Sequence, residues 1–410
     1  MKLTALLACL CLVLTAAAQE KNRIAGTISN AATGARIPNA SIFLNGTSKG
    51  SISKADGSFE LNDIPKGTYE MVVSSVGYQT IVFPFSSDSL PLLLHVKLDP
   101  KAEELATVTV MPYEKDGWKK WGRVFTEEFI GTSAAAEDCV IKNTKVLKFR
   151  YSASSKMLEV FADAPLIIEN KALGYRITYQ LENFVRSWKS RTVVFVGYSL
   201  FEDMSGNKRI TKRWASNRLG AYKGSLMHFV RSLYNNRLKE DSFEVRRLVK
   251  VPNLEKERIK KIYEMELKKQ LAQGGRISFS TRNAAQKDSV GYFDRIMKQD
   301  DSLAIIARVA LTADSLITTG SDSTKTLFFP HYLQVVHKTS IEEKEFLYHF
   351  RIFRDPLPQR SLIMLTPLAP VVIERNGLIF PPQNILSSEY WGWSEKISHM
   401  LPLDFRPQDF

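Results

Sequence analysis

The sequence predicts a mainly β protein with some helix, in which a small N-terminal β-sandwich precedes an α+β region of antiparallel sheet and several helices. Short β-rich runs separated by turn residues fill residues 23–99, which is typical of a sandwich or barrel. Aromatic residues then recur at helical spacing between residues 118 and 129. Alternating strands return between residues 146 and 201 and predict a second antiparallel sheet.

The first residues are typical of an export signal. Lys2 precedes a largely apolar run that ends in small residues at positions 16 and 18, so residues 1–18 are predicted to be a secretory signal peptide. The run falls short of the roughly 20 apolar residues that a membrane-spanning helix needs. Cleavage before Cys9, followed by lipid attachment, is the alternative. We favour a mature chain that starts at Gln19 and is exported to the periplasm or the outer membrane.

Strand and turn signals alternate regularly through the first domain. Apolar residues alternate with polar ones at 24–28 and 58–61, and further β-rich runs occupy 41–44, 69–73, 81–83 and 92–98. Asn45-Gly46 and Asp56-Gly57 are dipeptides that supply the positive φ of hairpin turns. A further glycine, Gly77, is expected to let a strand bend sharply.

The order of these residues resembles the carboxypeptidase-regulatory-like family, whose domains are transthyretin-like sandwiches. The resemblance rests on Gly26, Gly34, Pro38-Asn39-Ala40, Gly46-Thr47, Gly50, Asp56-Gly57-Ser58-Phe59, Gly67-Thr68-Tyr69 and Gly77-Tyr78. The run from Leu105 to Val110 resembles the short strand that follows this domain in starch-utilisation-type TonB-dependent receptors. This chain is too short for the plug and barrel of those receptors, so the resemblance covers residues 23 to about 110.

Carboxypeptidase activity does not follow from this resemblance. The zinc site of a carboxypeptidase uses a His-x-x-Glu pair, and none of the six histidines has a glutamate three residues later. The helical His-Glu-x-x-His signature is also missing. We therefore predict no metal site and no cofactor.

The sequence divides into a signal peptide (1–18), the sandwich (19–99), a strand and linker (100–116) and an α+β domain (117–410) with an alternative split near residue 274. The last region resembles an uncharacterised region found beside this sandwich in some exported bacterial proteins, through Phe129-Ile130-Gly131-Thr132, Cys139 and the run from Pro165 to Tyr175. That resemblance implies no known activity.

Beside the sheet over 146–201, the patterns within residues 117–410 predict three helices, strands at 327–329, 332–336 and 346–353, and one long loop. An amphipathic helix ends at Gly131, and its aromatic stripe is expected to pack on a sheet. One helix carries an apolar stripe from Leu219 to Leu233, and another runs from an N-cap at Asn253 to Leu271. Alternating aromatics predict a half-buried strand over 346–353, and residues 314–326 are predicted to form a mobile loop.

Positive charge is concentrated in one part of the chain. The formal net charge is +13, and residues 208–269 contain 18 Lys and Arg against 7 Asp and Glu. An exported protein is not expected to meet nucleic acid. The charge instead favours an acidic protein face, an acidic glycan or peripheral contact with an anionic membrane. A solvated helical surface that binds nothing is the alternative.

No catalytic constellation emerges from the sequence. Cys139 is the only thiol of the mature chain, and a neighbouring carboxylate, Asp138, would raise its pKa rather than activate it. The Gly-x-Ser-x-Gly match at 46–50 falls in a turn rather than between a strand and a helix. Scattered acids such as Asp163, Glu169, Asp301 and Asp314 form no motif.

We therefore predict a non-enzymatic interaction or scaffold protein of the cell envelope that binds glycan or protein. The candidate binding residues are Lys208, Arg209, Lys212, Arg213, Trp391 and Trp393. The paired tryptophans could bind sugar rings or a proline-rich peptide, or could simply lock the chain end onto its domain. The alternative function is a hydrolase of polysaccharide or peptide that draws its acids from residues 160–320.

Overall fold

The computed structural model describes residues 22–101, 112–272, 284–321 and 323–407. The predicted signal peptide with Cys9, the predicted strand from Leu105 to Val110 and the terminal Phe410 lie outside the described residues. Among the described helices, none is both long enough and apolar enough to cross a membrane.

The N-terminal domain is a sandwich of two sheets, as predicted. One sheet has the order β4-β1-β7 and the other has the order β3-β2-β5-β6. Glycines at positions 46 and 57 have φ values of 70° and 75°, which the predicted hairpin turns require. Gly77 (φ 83°) lies in a turn rather than bending a strand. The strands are β1 (Arg23–Asn30), β2 (Ser41–Leu44), β3 (Gly50–Ile52), β4 (Ser58–Asn62), β5 (Thr68–Ser74), β6 (Ile81–Ser86) and β7 (Leu92–Leu98).

A six-stranded antiparallel sheet follows, again as predicted. Its long central strand, β12, pairs with β11 through its first half, with β10 through its second half and with β13 along its length. The strands are β8 (Cys139–Ile141), β9 (Leu147–Ser152), β10 (Met157–Ala162), β11 (Leu166–Asn170), β12 (Tyr175–Ser187) and β13 (Thr192–Asp203).

The predicted aromatic helix, α1 (Gly117–Phe129), packs on this sheet. The ring of Phe125 lies 4.9 Å from that of Phe184, and the ring of Phe129 lies 5.1 Å from that of Tyr179. The aromatic stripe is therefore a packing face, which confirms the prediction. A short helix, α2 (Ala134–Glu137), follows it.

The single helix predicted around residues 219–233 is in fact two helices. α3 (Lys208–Tyr222) and α4 (Leu226–Tyr234) are separated by a turn at Gly224, where φ is 80°. A left-handed residue cannot continue a right-handed helix, so the chain changes direction here. The apolar stripe that suggested one helix is shared between two packing environments.

The last part of the chain contains a five-stranded sheet of order β15-β14-β18-β19-β22 and a four-stranded sheet of order β16-β17-β20-β21. The helix predicted from Asn253 is α5 (Leu254–Ala272), and the side chain of Asn253 caps it by accepting the N–H of Lys256 at 3.1 Å. The strands are β14 (Phe243–Pro252), β15 (Ser302–Ile306), β16 (Ile317–Thr319), β17 (Lys325–Leu327), β18 (Tyr332–Ile341), β19 (Pro358–Leu365), β20 (Val371–Ile373), β21 (Ile379–Phe380) and β22 (Ile385–Glu389); the remaining helices are α6 (Ala284–Met297), α7 (Lys344–His349) and α8 (Tyr390–Ser394).

Two expectations for this part are wrong. Residues 346–353 form the end of helix α7 and a turn rather than a strand, because Phe346 and Leu347 pack inward as neighbours on a helix while Tyr348 and Phe350 face solvent. Residues 314–326 contain the paired strands β16 and β17 rather than a loop without strands.

Three hydrophobic cores organise the fold. The sandwich core uses residues 24–98, the middle core uses residues 125–222 and also Ile397, Leu401 and Phe405, and the third core uses residues 229–393. The middle and third cores therefore change over near Gly224, while core residues on both sides of position 274 belong to the third.

The sandwich is docked onto the middle sheet rather than hanging free. The turn between β2 and β3 runs beside β13: Gly46 donates its N–H to Ser199 O at 2.8 Å, and Phe201 donates to Thr47 O at 2.9 Å. The side chain of Asn45 accepts the N–H of Ser199 at 3.0 Å. These bonds extend the pairing of β13 across the boundary between the two domains.

Candidate functional site

Helix α3 carries the four predicted cationic residues and is fixed to the middle sheet by its opposite side. Trp214 donates its indole N–H to Lys171 O at 2.8 Å, and Asn217 donates to Ala172 O at 2.8 Å. Gly174 faces the Trp214 ring so closely that a Cβ at this position would overlap it. The turn between β11 and β12 is therefore the mount for the helix.

Arg218 completes this mount as a buried cation with several partners. Its guanidinium donates to Leu173 O at 2.7 Å and to the Asp203 carboxylate at 2.7 Å, and it stacks 3.7 Å from the centre of the Tyr175 ring. A buried charge with this many partners holds its position well, because moving it would leave several polar groups unsatisfied.

The first turns of α3 present Lys208, Arg209, Lys212 and Arg213 to solvent, and we call these four side chains the basic face. They lie at i, i+1, i+4 and i+5 and so share one side of the helix, away from Trp214 and Arg218. Within the part of the chain that the structure describes, no carboxylate lies within ion-pair distance of any of the four.

Other cations among residues 208–269 have hydrogen-bond or ion-pair partners within the protein. Arg231 donates to the backbone carbonyls of Asn376, Leu403 and Phe405 at 2.9–3.0 Å. Lys256 and Lys260 both pair with Asp301. The positive surplus of residues 208–269 is thus spread over several elements, and the basic face is the part of it on α3 that is left to solvent.

The two tryptophans of the predicted site are buried. Trp391 is 2% exposed and Trp393 is 5% exposed. Trp391 donates its indole N–H to Gly224 O at 2.7 Å, and Trp393 donates to the Thr132 hydroxyl at 2.9 Å. A binding role for these rings would require helix α8 to leave the core, so the structure does not bring them together with the basic face.

The groups considered for catalysis are separated and engaged in other contacts. Asp163 pairs with Lys148, Glu169 pairs with Lys142 and Arg176, and Asp301 pairs with two lysines. Burial raises the pKa of the Cys139 thiol to about 12, which keeps it protonated. Among the described residues, no three His, Cys, Asp or Glu side chains are placed to hold a metal ion.

Sequence reasoning missed a half-open cavity of about 370 Å³ between α2, the end of α3 and the C-terminal segment. Its polar lining includes Glu343, Glu395 and His399, beside the ring of Tyr390. Glu343 lies 3.4 Å from His399 Nε2 and accepts a hydrogen bond from the Tyr390 hydroxyl at 3.3 Å. Glu395 accepts the N–H of Leu226 at 2.8 Å.

The two glutamates of this cavity differ in their electrostatics. Burial raises the pKa of Glu395. Burial also pushes the pKa of Glu343 upward, but the hydrogen bond and charge of His399 outweigh it and hold that pKa below its usual value. His399 Nδ1 lies 3.1 Å from the carbonyl of Ser394, which can only accept, so Nε2 bears a second hydrogen toward Glu343 only in the imidazolium form.

No sequence signal could have found this cluster. Glu343 precedes a helix predicted as a strand, and the other two side chains lie in a short irregular segment about 50 residues later. The predicted acids lay between residues 160 and 320, whereas the acids that meet in a cavity come from outside that range. Only the path of the C-terminal segment brings them together.

Solved structures offer only remote similarities. A type II cohesin–X-dockerin complex from Acetivibrio cellulolyticus is 23% identical over 18% of this chain, with a TM-score of 0.16, and the match spans about half (52%) of that chain. A protein of unknown function from Bacteroides fragilis NCTC 9343, provisionally described as membrane-associated, is 12% identical over 87% of this chain and 94% of its own, with a TM-score of 0.16. TM-scores this low establish no shared fold.

No curated protein matches the chain. The family model of the CarboxypepD_reg-like domain matches residues 24–110, which begin in β1 and extend just past the end of the sandwich. The predicted resemblance is therefore confirmed, and the N-terminal sandwich is a CarboxypepD_reg-like domain.

Proposed function

We propose that this chain is a non-enzymatic interaction or scaffold protein of the cell envelope, which uses its basic face to bind an acidic glycan or an acidic protein surface. The observation that carries the proposal is the placement of Lys208, Arg209, Lys212 and Arg213, exposed together on a helix that is rigidly mounted.

The four cations of the basic face do not stabilise helix α3. The N-terminus of a helix carries partial positive charge, so Lys208 and Arg209 in the first turn of α3 each cost about 0.3–1 kcal/mol instead of contributing. Like charges at i and i+4, such as Lys208 with Lys212 and Arg209 with Arg213, repel each other as well. The first turn of α3 contains no acidic residue that would offset this. A bound anion would relieve the repulsion.

The mount favours affinity. Because Trp214, Asn217 and Arg218 hold α3 against a fixed turn, the backbone that carries the cations loses little freedom on binding. The two arginines can bind carboxylate, sulfate or phosphate groups with two hydrogen bonds each. The expected partner therefore displays several anionic groups at a spacing of a few ångströms.

A capture experiment tests the proposal. The chain from Gln19, which omits the predicted signal peptide, is immobilised and exposed to envelope extract, beside a variant with Lys208→Glu, Arg209→Glu, Lys212→Glu and Arg213→Glu. The control variant reverses four exposed lysines elsewhere: Lys261→Glu, Lys268→Glu, Lys269→Glu and Lys298→Glu. Both variants change the net charge equally, so any difference between them reports position and not total charge.

We expect the control to capture the same partner as the parent and the basic-face variant to lose it. Capture should weaken as salt rises, because the contacts are exposed ion pairs. Equal loss in both variants would reduce the effect to total charge. Equal capture by all three proteins would contradict the role of the basic face.

A hydrolase is the second candidate, and the cavity beside α2 is the observation that favours it. Glu395, with its raised pKa, could donate a proton, while Glu343, with its lowered pKa, could act as a base. Hydrolysis of polysaccharide or peptide by the parent, abolished by Glu395→Gln with the fold intact, would establish this function. Activity that survives the change would exclude Glu395 as the acid.

A further inference from the structure

The end of helix α7 and the segment after it expose an unusual number of large apolar side chains, and we call residues 348–357 the aromatic loop. Phe353 is 97% exposed, Tyr348 is 74% exposed, and Phe350 and Leu357 are 50% and 51% exposed. Single exposed apolar residues are ordinary, but a group of this kind marks a surface that is covered when the protein works.

The two most exposed side chains, Tyr348 and Phe353, line one groove, whereas the ring of Phe350 lies 5.1 Å from that of Phe346. Leu357 lies beside Ile341, which is itself 50% exposed, because Glu342 donates its backbone N–H to Leu357 O at 2.9 Å. A groove of about 360 Å³ runs along the loop between Tyr348 and Phe353. Its other apolar walls are Leu347, Ile352 and Pro356.

The loop is held in place at its base. Arg354 forms two hydrogen bonds to the Glu342 carboxylate, at 2.7 and 3.0 Å, and the same carboxylate accepts the N–H of Leu357 at 3.0 Å. Ile352 donates its N–H to Leu347 O at 2.8 Å. Because these bonds fix the backbone, the exposed rings cannot simply fold back into the core.

Charged side chains surround the rings. Lys344 and Arg351 are exposed, and within the described residues neither lies within ion-pair distance of a carboxylate, whereas Arg354 is matched by Glu342. Glu345 and Asp355 are the acidic residues nearest in sequence. Lysine and arginine beside exposed aromatic rings are the composition of an interfacial anchor, in which rings enter the headgroup region and cations meet phosphates.

We propose that the aromatic loop binds an anionic bilayer surface, with Phe353 and Tyr348 at the boundary between headgroups and acyl chains. Lys344 and Arg351 contact the lipid phosphates. Exposed aromatic rings flanked by cations suit the headgroup region of a bilayer, where apolar groups and phosphates lie side by side. The net charge of +13 favours the anionic leaflet. This contact is separate from the basic face and goes beyond the function proposed above.

Sedimentation with lipid vesicles tests this proposal. The chain from Gln19 is mixed with phosphatidylcholine vesicles that contain or lack phosphatidylglycerol, and Phe353→Ser and Tyr348→Ser are compared with the parent. Val76→Ser is the control, because Val76 is 91% exposed but lies in the sandwich. We expect each loop variant to bind vesicles on the order of tenfold more weakly, and the control to bind like the parent.

Two further measurements keep the outcome unambiguous. Phe353→Trp should bind as the parent does, and its added fluorescence should be quenched by lipids brominated on their acyl chains. High salt should remove the electrostatic contributions of the basic face and of Lys344 and Arg351, but leave the apolar contribution of the rings. Parental vesicle binding by Phe353→Ser would overturn the proposal. So would a concentration-dependent oligomer, abolished by Phe353→Ser, in a protein that does not bind vesicles.

Discussion

The cores of the N-terminal sandwich and of the middle domain differ in how far apart in the sequence their residues lie. The sandwich builds its core from residues 24–98 alone. The middle core, although its sheet lies between residues 139 and 203, takes Ile397, Leu401 and Phe405 from the far end of the chain. The core of the sandwich is therefore formed by one continuous stretch of sequence. The middle core is complete only when residues 397–405 pack against it.

The segment that closes the middle core also touches the other two domains. Leu403 donates its N–H to Gly46 O at 2.6 Å in the sandwich, and Asn170 donates to Ser398 O at 2.9 Å in the middle sheet. Arg231, on helix α4 of the third core, donates hydrogen bonds to two backbone carbonyls of the same segment. Residues 390–405 thus tie the three cores together, and the predictions below test that difference in reach.

The largest expected effect is on the middle core. Ile397 is fully buried, so Ile397→Ala should lower the free energy of unfolding by about 2–5 kcal/mol. Hydrogen exchange should accelerate in β9 to β12 while the amides of β1 to β7 stay protected. Ile52→Ala, at a position 64% exposed in the sandwich, is the control and should stay within about 0.5 kcal/mol. Equal acceleration in the sandwich would contradict the difference in reach.

Arg218 and Arg209 have different roles on helix α3. Arg218 fixes the helix to the middle sheet, whereas Arg209 belongs to the exposed basic face. Arg218→Met removes charged hydrogen bonds to Leu173 O and Asp203, so we expect a loss of about 1.5–3 kcal/mol in stability. Partner capture should also weaken because the basic face loses its support. Arg209→Ala should weaken capture without lowering the unfolding midpoint, because the cation it removes is unfavourable at the helix N-terminus. If both variants affect stability alike, the distinction between mount and contact fails.

Two glycines four residues apart should respond in opposite directions. Gly224 has a φ of 80°, and an added Cβ would overlap the side chain of Gln359, so Gly224→Ala should destabilise the protein by at least about 1–2 kcal/mol. Gly220 lies within α3 with open space beside it, and Gly220→Ala should stabilise it by about 0.5–1 kcal/mol. Thermal unfolding of the two variants checks this, and a stabilising Gly224→Ala would refute the helix break.

The smallest effect concerns pH and the attachment of the C-terminal segment. Burial alone would lower the pKa of His399, but the hydrogen bond and charge of Glu343 raise it above 6.5. A raised histidine pKa stabilises the fold fully below 6.5, and this contribution is lost as pH rises through the folded value. His399→Gln should remove that part of the pH dependence when stability is measured across the range. An unchanged pH profile would show that the pair contributes nothing.

The reach of the contacts also explains what the sequence could predict. In the sandwich, turn dipeptides such as Asp56-Gly57 sit between strands that alternate visibly, so the strands follow from local pattern. The six-stranded sheet and helix α1 were predictable for the same reason. The four cations of the basic face were found from the concentration of positive charge, but the apolar stripe predicted a helix only from Leu219, so their shared side of α3 is seen only in the structure.

Long-range packing decides the rest. Aromatics alternate from Phe346 to Phe353, yet the chain is helical there, because Phe346 packs between Tyr390 and Trp393 from the C-terminal segment. Strand β14 was missed among residues 208–269, because the alternation that Phe243 and Val245 begin is broken at Arg247 and the next buried residue is Leu248. The cavity beside α2 depends on the same distant segment, so no pattern near Glu343 reveals it.

Photo-crosslinking in envelope extract tests the central claim most directly. A photoreactive residue replaces Lys212 on the basic face in one protein and Lys261 on α5 in another, with both positions exposed. The account predicts a crosslinked partner from position 212 that high salt abolishes, and none from position 261. The same adducts from both positions, or adducts from position 261 alone, would contradict a binding role for the basic face.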